Sequence, residues 1–361
     1  MSLSITHGDL LKQNDIDAIV NTVNCVGVMG KGIALQFRNK WPENSRAYAA
    51  ACAAGEVRPG RMLVFDTGGL VKPNFIINFP TKDHWRGKSR IEFIRDGLLD
   101  LVAQIRRLGI RSIAMPPLGC GNGGLDWRDV RPLIAGALGD LPDVQVMVYP
   151  PRGAPPAQSM KIGTERPKIT PGRAALLALL ARYVRMSQLE EPGAPEGASL
   201  LEIQKLMYFL QEAGESLRLD YVKARYGPYA ENLNHVLQAM EGHYLRGYGD
   251  RTQEVKKLSP ISLMTGAEDA GCSWLADHPD QTTERIEAVL SLVTGFASAY
   301  GLELLATVHW VLTREGANQT DLETLTRLVS SWNERKGRLF TEVHVRRAAD
   351  RLRDSGWVAA A

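Results

Sequence analysis

The hydrophobic pattern changes character near the middle of the chain. Up to Tyr149, short apolar runs alternate with longer segments whose apolar residues recur every three or four positions. The runs Ala18–Val23, Arg61–Asp66, Phe75–Phe79, Ser112–Pro116 and Val144–Tyr149 read as strands of a largely buried sheet. Between them the helical period predicts helices over Gly32–Lys40, Glu43–Ala54, Arg90–Leu108 and Trp127–Leu138. Such alternation predicts an α/β sandwich, with helices on both faces of the sheet.

From Pro150 to Arg173 the chain reads PPRGAPPAQSMKIGTERPKITPGR, rich in proline and without periodicity, which predicts a linker over 153–172 after a first domain of 1–152. Beyond it the pattern is mainly helical: Ala174–Met186, Leu200–Ala213, Ala230–Met240, Glu284–Ala299, Glu303–Thr313, Asp321–Trp332 and Glu342–Arg353. A chain of 361 residues is long for one core, so a second domain over 173–361 is expected. No internal repeat interrupts this division.

Composition narrows the class without naming a function. The chain is 44% hydrophobic and 23% charged, as ordinary globular proteins are, and no stretch approaches a membrane span. The start MSLSITHGDLL lacks a basic segment followed by an apolar run, so a cytoplasmic protein without a membrane partner is expected. Cys25, Cys52, Cys120 and Cys272 lie far apart with no C-x-x-C pair, against a disulfide framework or zinc site. Cys25 and Cys120 border glycine loops, where each is either a small residue fitting a tight turn or a reactive thiolate. No metal or cofactor is expected.

The net charge of +3 conceals an asymmetry. Residues 1–170 hold 22 Lys+Arg against 15 Asp+Glu, and the remainder 21 against 25, so +7 faces −4. The first half therefore tolerates phosphate or nucleic acid, and the second does not seek it.

Two glycine loops carry the chemistry of the first half. NTVNCVGVMGKGIALQF (Asn21–Phe37) leaves a strand, places Gly27, Gly30 and Gly32 close together and enters a helix. PPLGCGNGGLDW (Pro116–Trp127) repeats that setting with Gly119, Gly121 and Gly124. Loops with few side chains and many free backbone N–H groups, at a helix N-terminus, cradle anions. Neither is a Walker A loop, because Gly30-Lys31 is followed by Gly32. A dinucleotide fingerprint fits poorly, because the strand after the second loop ends Tyr149-Pro150-Pro151 without an acid. Two such loops on neighbouring strand ends can enclose one diphosphate; the alternative is two tight turns.

HGDL (His7–Leu10), DAIVNTVNCVGVMGKGIA (Asp17–Ala34) and the second loop, in that order, resemble the motifs of a macrodomain, the ADP-ribose-binding fold. The resemblance implies an adenine site at His7, Gly8, Asp9 and Leu10, with Asp9 accepting from the adenine amino group; the alternative for Asp9 is a simple turn or cap residue. It implies that Asn24 contacts the distal ribose while Asn21 braces the loop. Gly30, Lys31, Gly32 and Ile33, with Pro117, Leu118, Gly119, Cys120, Gly121, Asn122 and Gly123, would line the diphosphate.

NFPTKDHWRGKSR (Asn78–Arg90) narrows the resemblance to the DarG antitoxins and related terminal ADP-ribose glycohydrolases, in which a lysine at the place of Lys82 carries activity. Such a lysine attacks the anomeric carbon, moves a proton on the opening ribose, or pairs with phosphate. His84 is a candidate acid–base group, or else a packing or stacking surface. The relatives that act on acidic side chains hold an aspartate where this chain has Gly123; nearby Asp126 reads as a helix cap. In the DarG family the substrate is ADP-ribose on a thymine of single-stranded DNA, installed by the DarT toxin and released as ADP-ribose. Trp85 and Arg86 are candidate DNA contacts.

In the second half, IQKLMYFLQEAG (Ile203–Gly214) and KARYGPYAENLNHVL (Lys223–Leu237) weakly resemble a helical module of other antitoxins, through K-L-x-Y-F and Y-G-P-Y. The DarG resemblance implies that this half binds the DarT-type toxin; a helical, autoregulatory DNA-binding role is the competing reading. The sequence thus predicts an antitoxin that removes ADP-ribose from DNA and sequesters its toxin. The alternatives are a non-catalytic ADP-ribose reader and an O-acetyl-ADP-ribose deacetylase.

Overall fold

The computed structural model describes residues 3–13, 15–69, 71–252, 259–317 and 321–358. The chain divides into two compact units, Met1–Glu165 with Asp250–Gln253, and Arg166–Gly249 with Glu254–Ala361. Among the described residues no helix is long and apolar enough to cross a membrane.

The first unit is a six-stranded mixed sheet between helices. Its strands are β1 (Leu3–Ile5), β2 (Ala18–Val23), β3 (Leu63–Asp66), β4 (Phe75–Pro80), β5 (Ser112–Met115) and β6 (Gln145–Val148), in the order β1-β6-β5-β2-β4-β3. All neighbours are parallel except β3, which runs antiparallel to β4 at the edge. The helices are α1 (Gly32–Lys40), α2 (Pro42–Ala53), α3 (Ile91–Leu108) and α4 (Trp127–Leu138).

Alternation along the central strands decides the two cores. Ala18 and Val20 of β2 join Ile77, Phe79, Ile113 and Met115 beneath α3 and α4, whereas Ile19 joins Ile76, Ala114 and Phe37 of α1 on the other face. Helix α3 approaches so closely that a Cβ on Gly97 would lie 2.3 Å from the Phe79 ring. Only glycine permits that crossing, and it fixes β4 two residues before Thr81.

The sequence missed β1, whose three residues are too short for a period. The expected linker is no free tether. Ala157–Ser159 form a 3-10 turn with Ala157 buried, and the Gly163 amide donates to the Asn39 carbonyl, so the first unit extends to Glu165.

The second unit is helix-rich: α5 (Pro171–Glu190), α6 (Leu200–Glu212), α7 (Leu233–Met240), α8 (Ala267–Asp277), α9 (Thr282–Val293), α10 (Ala299–Arg314), α11 (Leu322–Ser331), α12 (Glu334–Leu339) and α13 (Glu342–Asp354). Two small antiparallel pairs interrupt it, β7 (Tyr221–Ala224) with β8 (Gly227–Ala230), and β9 (Leu245–Arg246) with β10 (Ser262–Leu263). The expected helix Glu284–Ala299 stops early, because Gly295 takes a φ of 77° and Ser298 then caps α10 by accepting from Gly301 N. The expected helix from Ala230 begins only at Leu233, because Ala230 closes the β7–β8 hairpin. Helix α8 carries too thin an apolar stripe to announce itself, and α12 is too short.

The two motifs singled out in this half meet. Gln204 exchanges two hydrogen bonds with the backbone of Ala230, Lys205 donates to the Pro228 carbonyl, and Tyr221 donates to the Gln204 carbonyl. Lys205 is wholly buried, and burial lowers its pKa to about 7. Lys336, also buried, pairs with Glu303 at 2.6 Å and Thr307 at 3.0 Å.

Candidate active site

Parallel strands deliver their following loops to one edge of a sheet, and a ligand crevice forms there where neighbouring loops part. Strand β2 ends at Val23 beside Pro80 of β4, and β5 flanks it on the other side. The first glycine loop, the segment bearing Lys82 and the second glycine loop therefore emerge side by side.

The first loop is held from beneath by Asn24. Its Oδ1 accepts from Val26 N at 2.9 Å and from the Tyr48 hydroxyl at 2.9 Å, and its Nδ2 donates to the Val28 carbonyl at 2.6 Å. The Tyr48 hydroxyl also reaches the Asn24 carbonyl at 2.8 Å. Asn24, expected at the distal ribose, thus places its side chain within its own loop. Asn21 lies in a buried amide network, donating to Asn78, which exchanges hydrogen bonds with Asn44.

What remains of the loop is a row of donors. The amides of Gly30 and Lys31 meet no acceptor among the described residues, and those of Ile33 and Ala34, in the first turn of α1, have no partner within the helix. Lys31 is exposed and makes no side-chain cap. Gly32 has a φ of 65°, and a Cβ there would lie 2.7 Å from the Asn122 side chain, so the two glycine loops touch at this point.

In the second loop Cys120 N returns to Pro117 O, Leu125 N to Gly119 O and Gly124 N to Gly121 O, while Leu118 is buried under it. The amides of Gly121, Asn122 and Gly123 meet no acceptor among the described residues. Asp126 caps α4 by accepting from Arg128 N at 2.8 Å, and the hydrogen bonds it accepts from the Arg128 side chain, with that cap, hold its carboxyl down to about 2. Both loops thus present unpaired N–H groups, the arrangement a diphosphate requires.

Lys82 stands between them. Its backbone carbonyl and that of Asp83 face Cys25, whose amide donates to Asp83 O at 3.0 Å. Its amine reaches the other way, donating to Asn122 O at 3.0 Å and Gly87 O at 3.3 Å. Burial lowers the pKa of the half-buried amine below the ordinary lysine value. The neighbouring thiols are poorer nucleophiles, since burial pushes Cys25 up to about 12 and Cys120 up to about 11.

The rest of the Lys82 segment is exposed. His84 accepts from Arg86 N at its Nδ1, and Trp85 lies against His84 on one side and the Arg86 guanidinium, 4.5 Å from its ring centre, on the other. After β1, Asp9 caps the turn Leu10–Lys12 through Oδ1, which accepts from Leu11 N at 2.9 Å. Among the described residues no donor reaches its Oδ2. His7 and Gly8 are exposed beside it, and Leu10 is buried.

The sequence agrees with this geometry. A macro domain model matches residues 20–134. The chain is 49% identical to the DNA ADP-ribosyl glycohydrolase of Mycobacterium tuberculosis over 96% of its own length and 97% of that protein's. It is 48% identical to the Thermus aquaticus protein of that name, over 98% and 94% of the two lengths. The chain belongs to the DNA ADP-ribosyl glycohydrolase family. A Thermosipho africanus fusion of a DNA ADP-ribosyl transferase with a DNA ADP-ribosyl glycohydrolase is also similar, at 32% identity over 42% of each chain.

Within this macrodomain several contributors lie outside the motifs. Tyr48 comes from α2, with no pattern linking it to Asn24. Lys40 fastens the Asp9 turn to α1 by donating to the Leu11 carbonyl while lying 4.1 Å over the Trp41 ring. Asp250, from far along the chain, belongs to the same unit: its carbonyl accepts from Gly32 N at 2.9 Å and its carboxylate from Gln36 at 2.6 Å. No local sequence signal points to that contact.

Proposed function

We propose that the macrodomain hydrolyses the N-glycosidic bond between ADP-ribose and a thymine of single-stranded DNA, in the cytoplasm, with Lys82 as the catalytic residue. The observation that carries this reading is the Lys82 amine, half-buried and reaching the second glycine loop while its backbone is tied to the first. Asp9 and Leu10 receive the adenine, and the unpaired amides of Gly30, Lys31 and Ile33, with those from Gly121 to Gly123, take the diphosphate. The Lys82 amine then lies where the distal ribose emerges.

A lowered pKa leaves more of the amine unprotonated near neutrality, as attack on carbon requires. The ring opens by cleavage of its C1–O bond as the ring oxygen takes a proton. The amine adds to the anomeric carbon and passes a proton to the base as the carbon–nitrogen bond to the base breaks, leaving an imine on Lys82. Water then hydrolyses this lysine adduct, returning the amine and releasing ADP-ribose, whose ribose recloses. Borohydride reduction during turnover traps that adduct on Lys82; a trapping failure under conditions of rapid release assigns the lysine to proton transfer. The exposed Trp85 and Arg86 offer a stacking face and a cation to the strand carrying the base.

We also propose that the second unit binds a DarT-type transferase. The Thermosipho relative joins both activities in one polypeptide, and the excess of acidic residues after position 170 suits a basic, DNA-binding partner. The discriminating experiment offers the full chain three substrates: thymine-linked ADP-ribose on an oligonucleotide, glutamate-linked ADP-ribose on a peptide, and O-acetyl-ADP-ribose. Release from the oligonucleotide alone is expected. Binding of ADP-ribose with release from none would make the domain a reader, and acetate release would make it a deacetylase.

A further inference from the structure

The stretch from Lys82 to Arg90 touches the second glycine loop twice, at successive carbonyls. Lys82 donates its amine to Asn122 O at 3.0 Å, and Ser89 donates its backbone N–H to Gly123 O at 2.9 Å. Ser89 is buried, yet its hydroxyl makes no hydrogen bond. Buried hydroxyls are nearly always paired, so an unpaired one at a working site calls for an explanation.

The glycines of the loop make room for it. A Cβ on Gly123 would lie 2.2 Å from the Ser89 Oγ and 2.4 Å from the Gly119 carbonyl oxygen, and a Cβ on Gly119 would lie 3.3 Å from the same Oγ. Hydroxyl and carbonyl are therefore neighbours across a space that no side chain fills. The Gly119 carbonyl accepts from Leu125 N, which leaves it a second lone pair.

We propose that Ser89 is a positioning residue: when the second loop closes on the diphosphate, its hydroxyl donates to the Gly119 carbonyl and fixes the height at which the Asn122 carbonyl holds the Lys82 amine. This rests on the reading of Lys82 as the catalytic residue. The free loop leaves the hydroxyl unpaired, and the closed loop pairs it, so the contact favours the closed form. Serine acts here through the lysine, touching neither base nor ribose.

The test uses the full chain with Ser89→Ala, Ser89→Cys and Lys82→Ala, measuring single-turnover release from thymine-linked ADP-ribose, free ADP-ribose affinity and melting temperature. Ser89→Ala is expected to slow release about tenfold or more and to weaken ADP-ribose binding by a similar factor, because the loop closes on the same diphosphate, with melting temperature not lowered. Cysteine, a weaker donor, should fall between serine and alanine. A hydroxyl that merely fills space predicts the order of size instead, with alanine close to wild type and cysteine worst, and that order overturns the proposal. Wild-type release by Ser89→Ala while Lys82→Ala is inactive also overturns it and leaves the role of Lys82 standing. Full release by Lys82→Ala removes the reading beneath it.

Discussion

Replacing Tyr48 by phenylalanine removes one hydroxyl from the wholly buried support of the first glycine loop. That hydroxyl faces the Asn24 carbonyl at 2.8 Å and the Asn24 Oδ1 at 2.9 Å, and its single proton serves one of them at a time. The loss is one hydrogen bond, about 0.5–1.5 kcal/mol net, with the upper half favoured because the Asn24 carbonyl is left buried without its donor. Oδ1 keeps Val26 N and Nδ2 keeps the Val28 carbonyl, so the loop is loosened and not released. If the loss falls on the conformation that receives diphosphate, about 1.4 kcal/mol per tenfold gives an ADP-ribose Kd raised about three- to tenfold. Calorimetric titration of wild type and Tyr48→Phe with ADP-ribose, beside a thermal melt, measures both quantities. A melt lowered by a few degrees with Kd changed less than twofold would refute the argument, because the hydroxyl would then support the fold alone.

Three further outcomes are expected. Release should rise with pH along a limb set by Lys82, which burial places below the ordinary lysine range; deprotonation activates the amine, so the rate is lost as pH falls through that lowered pKa, and a limb at or above 10.5 would contradict the assignment. Gly123→Ala sets a Cβ 2.4 Å from the Gly119 carbonyl oxygen, so the second loop must shift, and ADP-ribose affinity should fall about tenfold or more while the melting temperature stays within a few degrees, which titration and a melt will show. Trp85→Ala should slow release from modified oligonucleotide about tenfold at subsaturating substrate, on about 1–3 kcal/mol per stacked base, yet leave the affinity for free ADP-ribose unchanged within twofold.

Much of the first unit was legible because its signals are local. Strands Ala18–Val23 and Phe75–Phe79 are apolar runs broken only by Asn21, Thr22 and Asn78, and helices α1 and α4 begin where the sequence places them. The glycine loops were legible for the same reason, since a backbone that must offer its amides and allow close approach selects glycine at fixed spacing. The support of those loops was not. Tyr48, Ser89 and Asp250 act through contacts that only the fold creates, and a tyrosine or serine in a helical or loop pattern carries no mark of its partner. Asn21 and Asn24 show the same limit: one lies within β2 and the other just after it, but which one enters the buried amide network and which one braces the loop depends on α2, β4 and the course of the loop. In the second unit, short pairs such as β7–β8 fell below the length at which alternation is readable, and Gly295 ended a helix that apolar spacing alone would have continued.

In the function proposed above, the Lys82 amine, held between the two glycine loops, cleaves ADP-ribose from thymine. The most direct measurement is single-turnover release from single-stranded oligonucleotide carrying thymine-linked ADP-ribose, with the full chain as wild type and Lys82→Ala, alongside the affinity of each for free ADP-ribose. Release by the wild type is expected, with a loss of at least about a hundredfold in the variant and comparable ADP-ribose binding by both. Undiminished release by Lys82→Ala would contradict that function of the lysine.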